Sequence, residues 1–108
     1  MPHKIYKIRA AVWLYPGTIQ RGSGQVAPWH FVTVPKKESA EIKSKFGKSA
    51  KAWGSIPVQV TAGKTSWKTS IFPERKSGAY LLPLKSEVRK KEGIRNGNKI
   101  ALFVKIGI

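Results

Sequence analysis

LLPLKSEVRKKEGIRNGNKIALFVKI, residues 81–106, is the stretch on which the fold turns. It joins an apolar run, a short basic segment, a glycine, an Asn-Gly pair and an apolar alternation. Tyr80 to Leu82 have strand character, and Pro83, which lacks a backbone donor, is expected to break that strand. KSEVRKKE, residues 85–92, then reads as a two-turn helix whose strong inward residue is Val88. Gly93 suits the left-handed position that stops such a helix, and Ile94 beyond it is placed to fold back onto Val88 in a Schellman-type cap. Asn96-Gly97 turns the chain, after which Ile100, Leu102, Val104 and Ile106 share one face of a strand. Capping and turning therefore explain much of the stretch without any appeal to function.

The same periodicities run through the rest of the chain. In KIYKIRAAVWLY (4–15) the residues Tyr6, Ile8, Ala10, Val12 and Leu14 fall on one side and Lys7, Arg9 and Trp13 on the other, the period of a half-buried strand. PGTIQRGSGQVAP (16–28) is rich in Gly and Pro and reads as a long, mobile hairpin connection. WHFVTV (29–34) is a second strand ended by Pro35. The segment that follows reads as a helix over 37–46, with Ile42 and Phe46 on one edge, Glu41 and Lys45 at the supportive i,i+4 spacing and Gly47 as the C-terminal cap. IPVQVTAGKTSWKTSIF (56–72) alternates on both sides of AGKTS and predicts a hairpin with Ile56, Val58 and Val60 inward. PERKSG (73–78) is the next loop. FVTVPKKESAEIKSKFG and AYLLPLKSEVRKKEG echo one another as strand, proline, Lys-rich helix and glycine, which points to a pseudo-twofold barrel with two helices at opposite ends or edges. The expected fold is mainly β, a small double-split barrel of about six strands with two short helices, formed by residues 1–108 as one domain.

Charge is the outlying property: 21 Lys and Arg against five acids give a net charge of +16 in 108 residues. So basic a surface draws polyanions at long range. Because the cations are mostly Lys, which meets phosphate as a mobile point charge, the balance favours non-specific binding over base readout. At 41% hydrophobic residues the chain still has the material for a core. Without cysteine there are no disulfides, thiolate metal sites or cysteine nucleophile. No apolar stretch approaches the ~18 residues of a membrane span and no signal-like run opens the chain, so a cytoplasmic protein with no membrane partner is expected.

Catalytic motifs are scarce. GSGQVA (22–27) has the letters of a dinucleotide fingerprint, but Pro28 follows at once and no helix opens there. Gly63-Lys64-Thr65-Ser66 resembles the end of a P-loop, yet Val58 stands where its first glycine belongs and the strand pattern continues. His3 and His30 with Glu38, Glu41, Glu74, Glu87 and Glu92 offer no metal-ligand spacing. No enzymatic activity, metal or cofactor is expected. The nucleic-acid-binding candidates are Lys36, Lys37 and Lys43 on the first helix, with Lys85, Arg89, Lys90 and Arg95 on and after the second, two basic ridges if the helices are equivalent. Solvated helix faces would look the same. Trp29, Trp53, Trp67 and Tyr80 are alternatives for stacking unpaired bases, although Trp29 and Trp67 lie in strand patterns and read as core.

WHFVTVP with its following helix, IPVQVTAGKTSWKTSIFP, GAYLLPLK and EVRKKEGIRNGNKIALFV together resemble the domain of unknown function 1905 family across nearly the whole chain. LPLKSEVRKKEGIRNGNKI is also similar to the Leu-Pro, helix, Gly-Ile, turn and strand segment of AbrB-like proteins, in which two chains build one DNA-binding barrel. That resemblance implies a double-split barrel to which one chain here supplies both halves. The turn departs from the AbrB-like Gly-Asp pair by carrying Gly97-Asn98, and Glu92 stands where a leucine is usual. The leading expectation is non-specific nucleic-acid or other polyanion binding by a monomer or weak homodimer. The alternative is a non-enzymatic accessory or interaction protein that holds an acidic partner or small ligand in a groove.

Overall fold

A computed structural model describes residues 4–14, 20–21, 25–26, 30–51 and 54–107. The elements in chain order are β1 (Lys4–Leu14), β2 (Gln20–Arg21), β3 (Gln25–Val26), β4 (His30–Thr33), α1 (Lys36–Phe46), β5 (Ile56–Ala62), β6 (Thr65–Pro73), β7 (Tyr80–Leu84), α2 (Ser86–Glu92) and β8 (Lys99–Ile106). A 3-10 turn at Gly47–Ser49 extends α1. Six strands close an antiparallel barrel in the order β1-β4-β7-β6-β5-β8, while β2 and β3 pair with each other. The expected small, mainly β barrel with two short helices is what the chain forms.

Alternation builds the core. On β1 the residues Tyr6, Ile8 and Val12 are buried, on β5 Ile56, Val58, Val60 and Ala62, and on β8 Leu102, Val104 and Ile106. Each fully buried Val, Leu or Ile contributes about 1.5–3 kcal/mol relative to leaving it in water. The registers keep these residues in layers: Ile8 lies opposite Leu102, Tyr6 opposite Val104, and Val104 opposite Val60. Trp67 pairs with Val60 and packs, half-buried, against this core. Its placement agrees with the core reading.

The closed order is unchanged when β1 is exchanged with β6, β4 with β7 and β5 with β8. Each half is therefore strand, strand, helix, strand: β1-β4-α1-β5 and β6-β7-α2-β8. The sequence echo was real, but its prolines are not equivalent. Pro35 is the N-cap of α1, whereas Pro83 sits inside β7 opposite Phe31 and does not break the strand. The reason is position in the sheet: the β6 ladder on β7 ends at Leu81, so beyond it β7 has a neighbour on one side and the missing donor is tolerated there.

Helix ends differ in the same informative way. Gly93 has φ +64 and closes α2, with the Ile94 amide donating to the Arg89 carbonyl at 2.9 Å, the long bond of a Schellman motif. Val88 and Ile94 are both buried in the core cluster. Gly47, by contrast, has φ −58 and passes the chain on into the 3-10 turn, so it is not a left-handed cap. A Cβ at Gly93 would meet nothing within 4 Å, which leaves backbone conformation as the whole penalty of a side chain there. Gly93→Val is expected to lose more than ~1 kcal/mol in chemical denaturation, with Gly93→Asn losing less. A Val variant as stable as the parent would remove the cap from the account.

Ser39 is a buried polar residue that periodicity did not single out. Its hydroxyl donates to the Val34 carbonyl at 3.0 Å and accepts from the Tyr80 amide at 3.1 Å, while the Val34 amide donates to the Tyr80 carbonyl at 2.8 Å. The start of α1 is thereby tied to the start of β7. At the other end of that strand pair, Arg89 of α2 reaches His30, with Nη1 3.4 Å from Nε2.

Candidate functional site

The two helices sit at opposite ends of the barrel. Lys4, the first residue of β1, donates to Glu41 of α1 at 2.5 Å. His30, which contacts α2 through Arg89, pairs with Leu14, the last residue of β1. Ten strand steps separate these points, about 30 Å of chain. Lys36, Lys37 and Lys43 are thus exposed at one end, and Lys85, Lys90 and Arg95 at the other. The two proposed ridges do not come together on one face.

Arg89 differs from the other six candidates in its surroundings. It is half-buried, with Nη1 3.4 Å from His30 Nε2, instead of standing free in water. Acids also interrupt both ridges: Glu38 and Glu41 on α1, Glu87 and Glu92 on α2. Thr65 Oγ1 donates to Glu92 at 2.5 Å, and the same carboxylate lies over Gly63 at the β5–β6 turn, where φ is +58. GKTS is therefore a hairpin turn with a carboxylate against it, the opposite of a phosphate cradle.

Near α1 a cleft is lined by Lys4, Tyr6, Lys7, Lys37, Glu38 and Glu41. The hydrogen bond to Lys4 holds the Glu41 carboxyl below the ordinary value and, in return, Glu41 raises Lys4. Burial first, then the neighbouring Glu41, pushes the Tyr6 hydroxyl well above its ordinary value, so it stays neutral. Burial raises Tyr80 as well. Mixed charge and an engaged carboxylate make this cleft a poor receptor for an acidic ligand.

The barrel wall opposite the β4–β7 seam has a different character. On the outer face of β1, β8, β5 and β6 the registers align two complete rows across four strands. Lys7 stands beside Phe103, then Thr61 and Ser66; Ile5 stands beside Lys105, then Gln59 and Lys68. Arg9 continues the face opposite Ala101, and Lys99 lies at its end opposite Ala11. Among the described residues, the outward positions of these strands hold Lys7, Arg9, Lys68, Lys99 and Lys105 and no carboxylate. All five acids of the chain are elsewhere, on the helices or, for Glu74, in the β6–β7 loop.

Three large apolar side chains are exposed at outward positions of these strands: Ile5 at 54% and Phe103 at 47% among the cations, and Phe72 at 40% at the edge of β6, opposite Leu81. The Lys7 ammonium sits 5.9 Å from the Phe103 ring centroid. The sequence reading places Lys7 and Arg9 on the outer side of the first strand without giving them a role, and gives Lys68 none. Lys68 belongs to this face. The alternation already showed each residue pointing outward; what it could not show was the register that makes neighbours of residues 5, 59, 68 and 105.

The remaining wall is more apolar: Trp13 and Phe31 stack at 5.4 Å and Trp13 Nε1 donates to Thr33 at 2.9 Å. Trp29, Trp53, His3 and most of GSGQVA lie outside the described residues. Among the described residues no three His, Asp or Glu side chains gather in a group able to hold a metal ion, and no helix is long and apolar enough to cross a membrane.

A family model described as a domain of unknown function (DUF1905) matches residues 9–104, and the chain belongs to that family. The matched span takes in both helices and part or all of every barrel strand. No curated protein matches the sequence.

Proposed function

We propose that this DUF1905 protein is a non-enzymatic binder of nucleic acid that recognises phosphates without sequence preference, and that the outer face of β1, β8, β5 and β6 is the centre of the interface. One observation carries the reading: the chain's net charge of +16 includes five cations at the outward positions of four neighbouring strands, positions that hold no carboxylate, with Glu38 and Glu41 bordering the face only at its α1 edge, beside Ile5 and Lys7. A field of one sign concentrates polyanions in a way that interleaved charges do not. The preponderance of Lys favours mobile phosphate contacts over bidentate base contacts. Lys36, Lys37 and Lys43 at one end, with Lys85, Lys90 and Arg95 at the other, extend the field for a longer strand; Arg89 supports α2 from its half-buried place.

The exchange symmetry of the strands supports grouping this barrel with the AbrB-like double-split architecture, and we take that grouping as part of the proposal. The interaction-protein alternative has the weaker footing, since the cleft beside α1 carries Glu38 and Glu41 among its lysines. Titration of labelled DNA and RNA at low salt tests the proposal. Micromolar binding of strands of unrelated sequence is expected, and no detectable binding of any of them would return the alternative to first place.

A further inference from the structure

We infer that the β1–β8–β5–β6 face takes single-stranded nucleic acid in preference to duplex, with Phe103 as the platform on which an unpaired base stacks. This rests on the nucleic-acid reading above and narrows it to a substrate class. The observation is an aromatic ring, 47% exposed, standing on a sheet among cations with one exposed aliphatic neighbour, Ile5. Lys7 is directly beside it on β1, Thr61 directly beside it on β5, and Lys105 two residues along its own strand. Ile5 is the diagonal neighbour of Phe103 across β1 and β8, within reach of a large side chain or a stacked base.

Geometry and chemistry fit such a strand. A duplex hides the faces of its bases, so an exposed Phe would gain nothing from it. A single strand offers a π-face at every nucleotide and phosphates at intervals beside it, and stacking is tolerant of sequence because every base has that face. Outward side chains two apart on one strand lie on the same face, so Phe103 and Lys105 can hold a base and a phosphate of one strand together. Lys7 and Lys68 flank them on either side of the sheet. Thr61 and Ser66, hydrogen-bonded to each other at 2.8 Å, and Gln59 complete the rows with neutral polar groups that do not repel the backbone.

The test compares the parent with Phe103→Leu and Phe103→Trp. Probes are labelled oligo-dT, a duplex of equal length and inorganic polyphosphate, which has charge but no base. Phe103→Leu keeps an apolar side chain on the strand, and circular dichroism verifies its fold. We expect it to weaken oligo-dT binding roughly 5- to 150-fold, the range of one lost stacking contact. Its duplex and polyphosphate binding and its salt slope stay unchanged, since no phosphate contact is lost. Phe103→Trp is expected to retain the oligo-dT affinity. Equal binding of all three probes by parent and Phe103→Leu would overturn the stacking inference while leaving the nucleic-acid reading intact. Failure of the parent to bind any nucleic acid at low salt would overturn both. A parent dimer that Phe103→Leu dissociates, without loss of oligo-dT binding, would assign the face to a second copy of the chain and overturn the inference as well.

Discussion

Leu102→Ala is expected to cost the fold about 2–5 kcal/mol, the range for truncating a fully buried leucine whose surroundings relax only in part. Leu102 is 0% exposed on β8, opposite Ile8 on β1 and between the inward Ile100 and Val104. A closed barrel cannot slide one strand to fill the hole, because moving β8 by one residue would turn its whole apolar row outward. Phe103, the next residue, points to solvent, so Phe103→Ala is expected to cost less than about 1 kcal/mol, within the span of strand preference alone. Urea unfolding of the two variants checks the inside and outside assignment of β8 at adjacent positions. Equal losses, or a larger loss at Phe103, would mean that the faces are reversed and with them the proposed interface.

Nucleic-acid affinity is expected to collapse with salt. If the five cations Lys7, Arg9, Lys68, Lys99 and Lys105 each neutralise one phosphate, the slope of log affinity against log salt is about −4.5 on a duplex and about −3.5 on a single strand. From 50 to 200 mM salt those slopes amount to about 500-fold and about 130-fold losses. Replacing Lys7, Lys68 and Lys105 together by Gln should flatten the slope by about two to three, at roughly one unit per lost phosphate contact. The same triple change at Lys85, Lys90 and Lys91 serves as the comparison at the α2 end and is expected to flatten it less, because Glu87 and Glu92 already offset charge there. Fluorescence anisotropy across a salt series provides both slopes. A slope near zero would point to a contact surface that is not electrostatic.

How far the sequence revealed this molecule depends on the range of the interaction concerned. Alternation set the inward rows of β1, β5 and β8, and Gly93 with Ile94 identified a cap whose bond closes within six residues; these are local effects written in consecutive letters. Pro83 misled for the opposite reason. Whether a proline breaks a strand depends on which side of it has a neighbour, and here β6 falls away after Leu81. Ser39 was invisible because its hydroxyl serves Tyr80, forty-one positions on. The helices showed their Lys content but not their separation, since β4 and β7 run antiparallel and deliver α1 and α2 to opposite ends. The sheet face was least legible: its rows draw single residues from four strands, and only register assembles Lys7, Phe103, Thr61 and Ser66.

Amide chemical-shift mapping with a short oligo-dT, followed residue by residue at low salt, addresses the central claim most directly. The expected result is a contiguous set of shifted amides along β1, β8, β5 and β6, largest around Phe103 and its neighbours Lys7, Thr61 and Lys105, with smaller changes at the ends of α1 and α2. Shifts concentrated on α1 and α2, with the four-strand face unmoved, would contradict the account and restore the helix ridges as the interface.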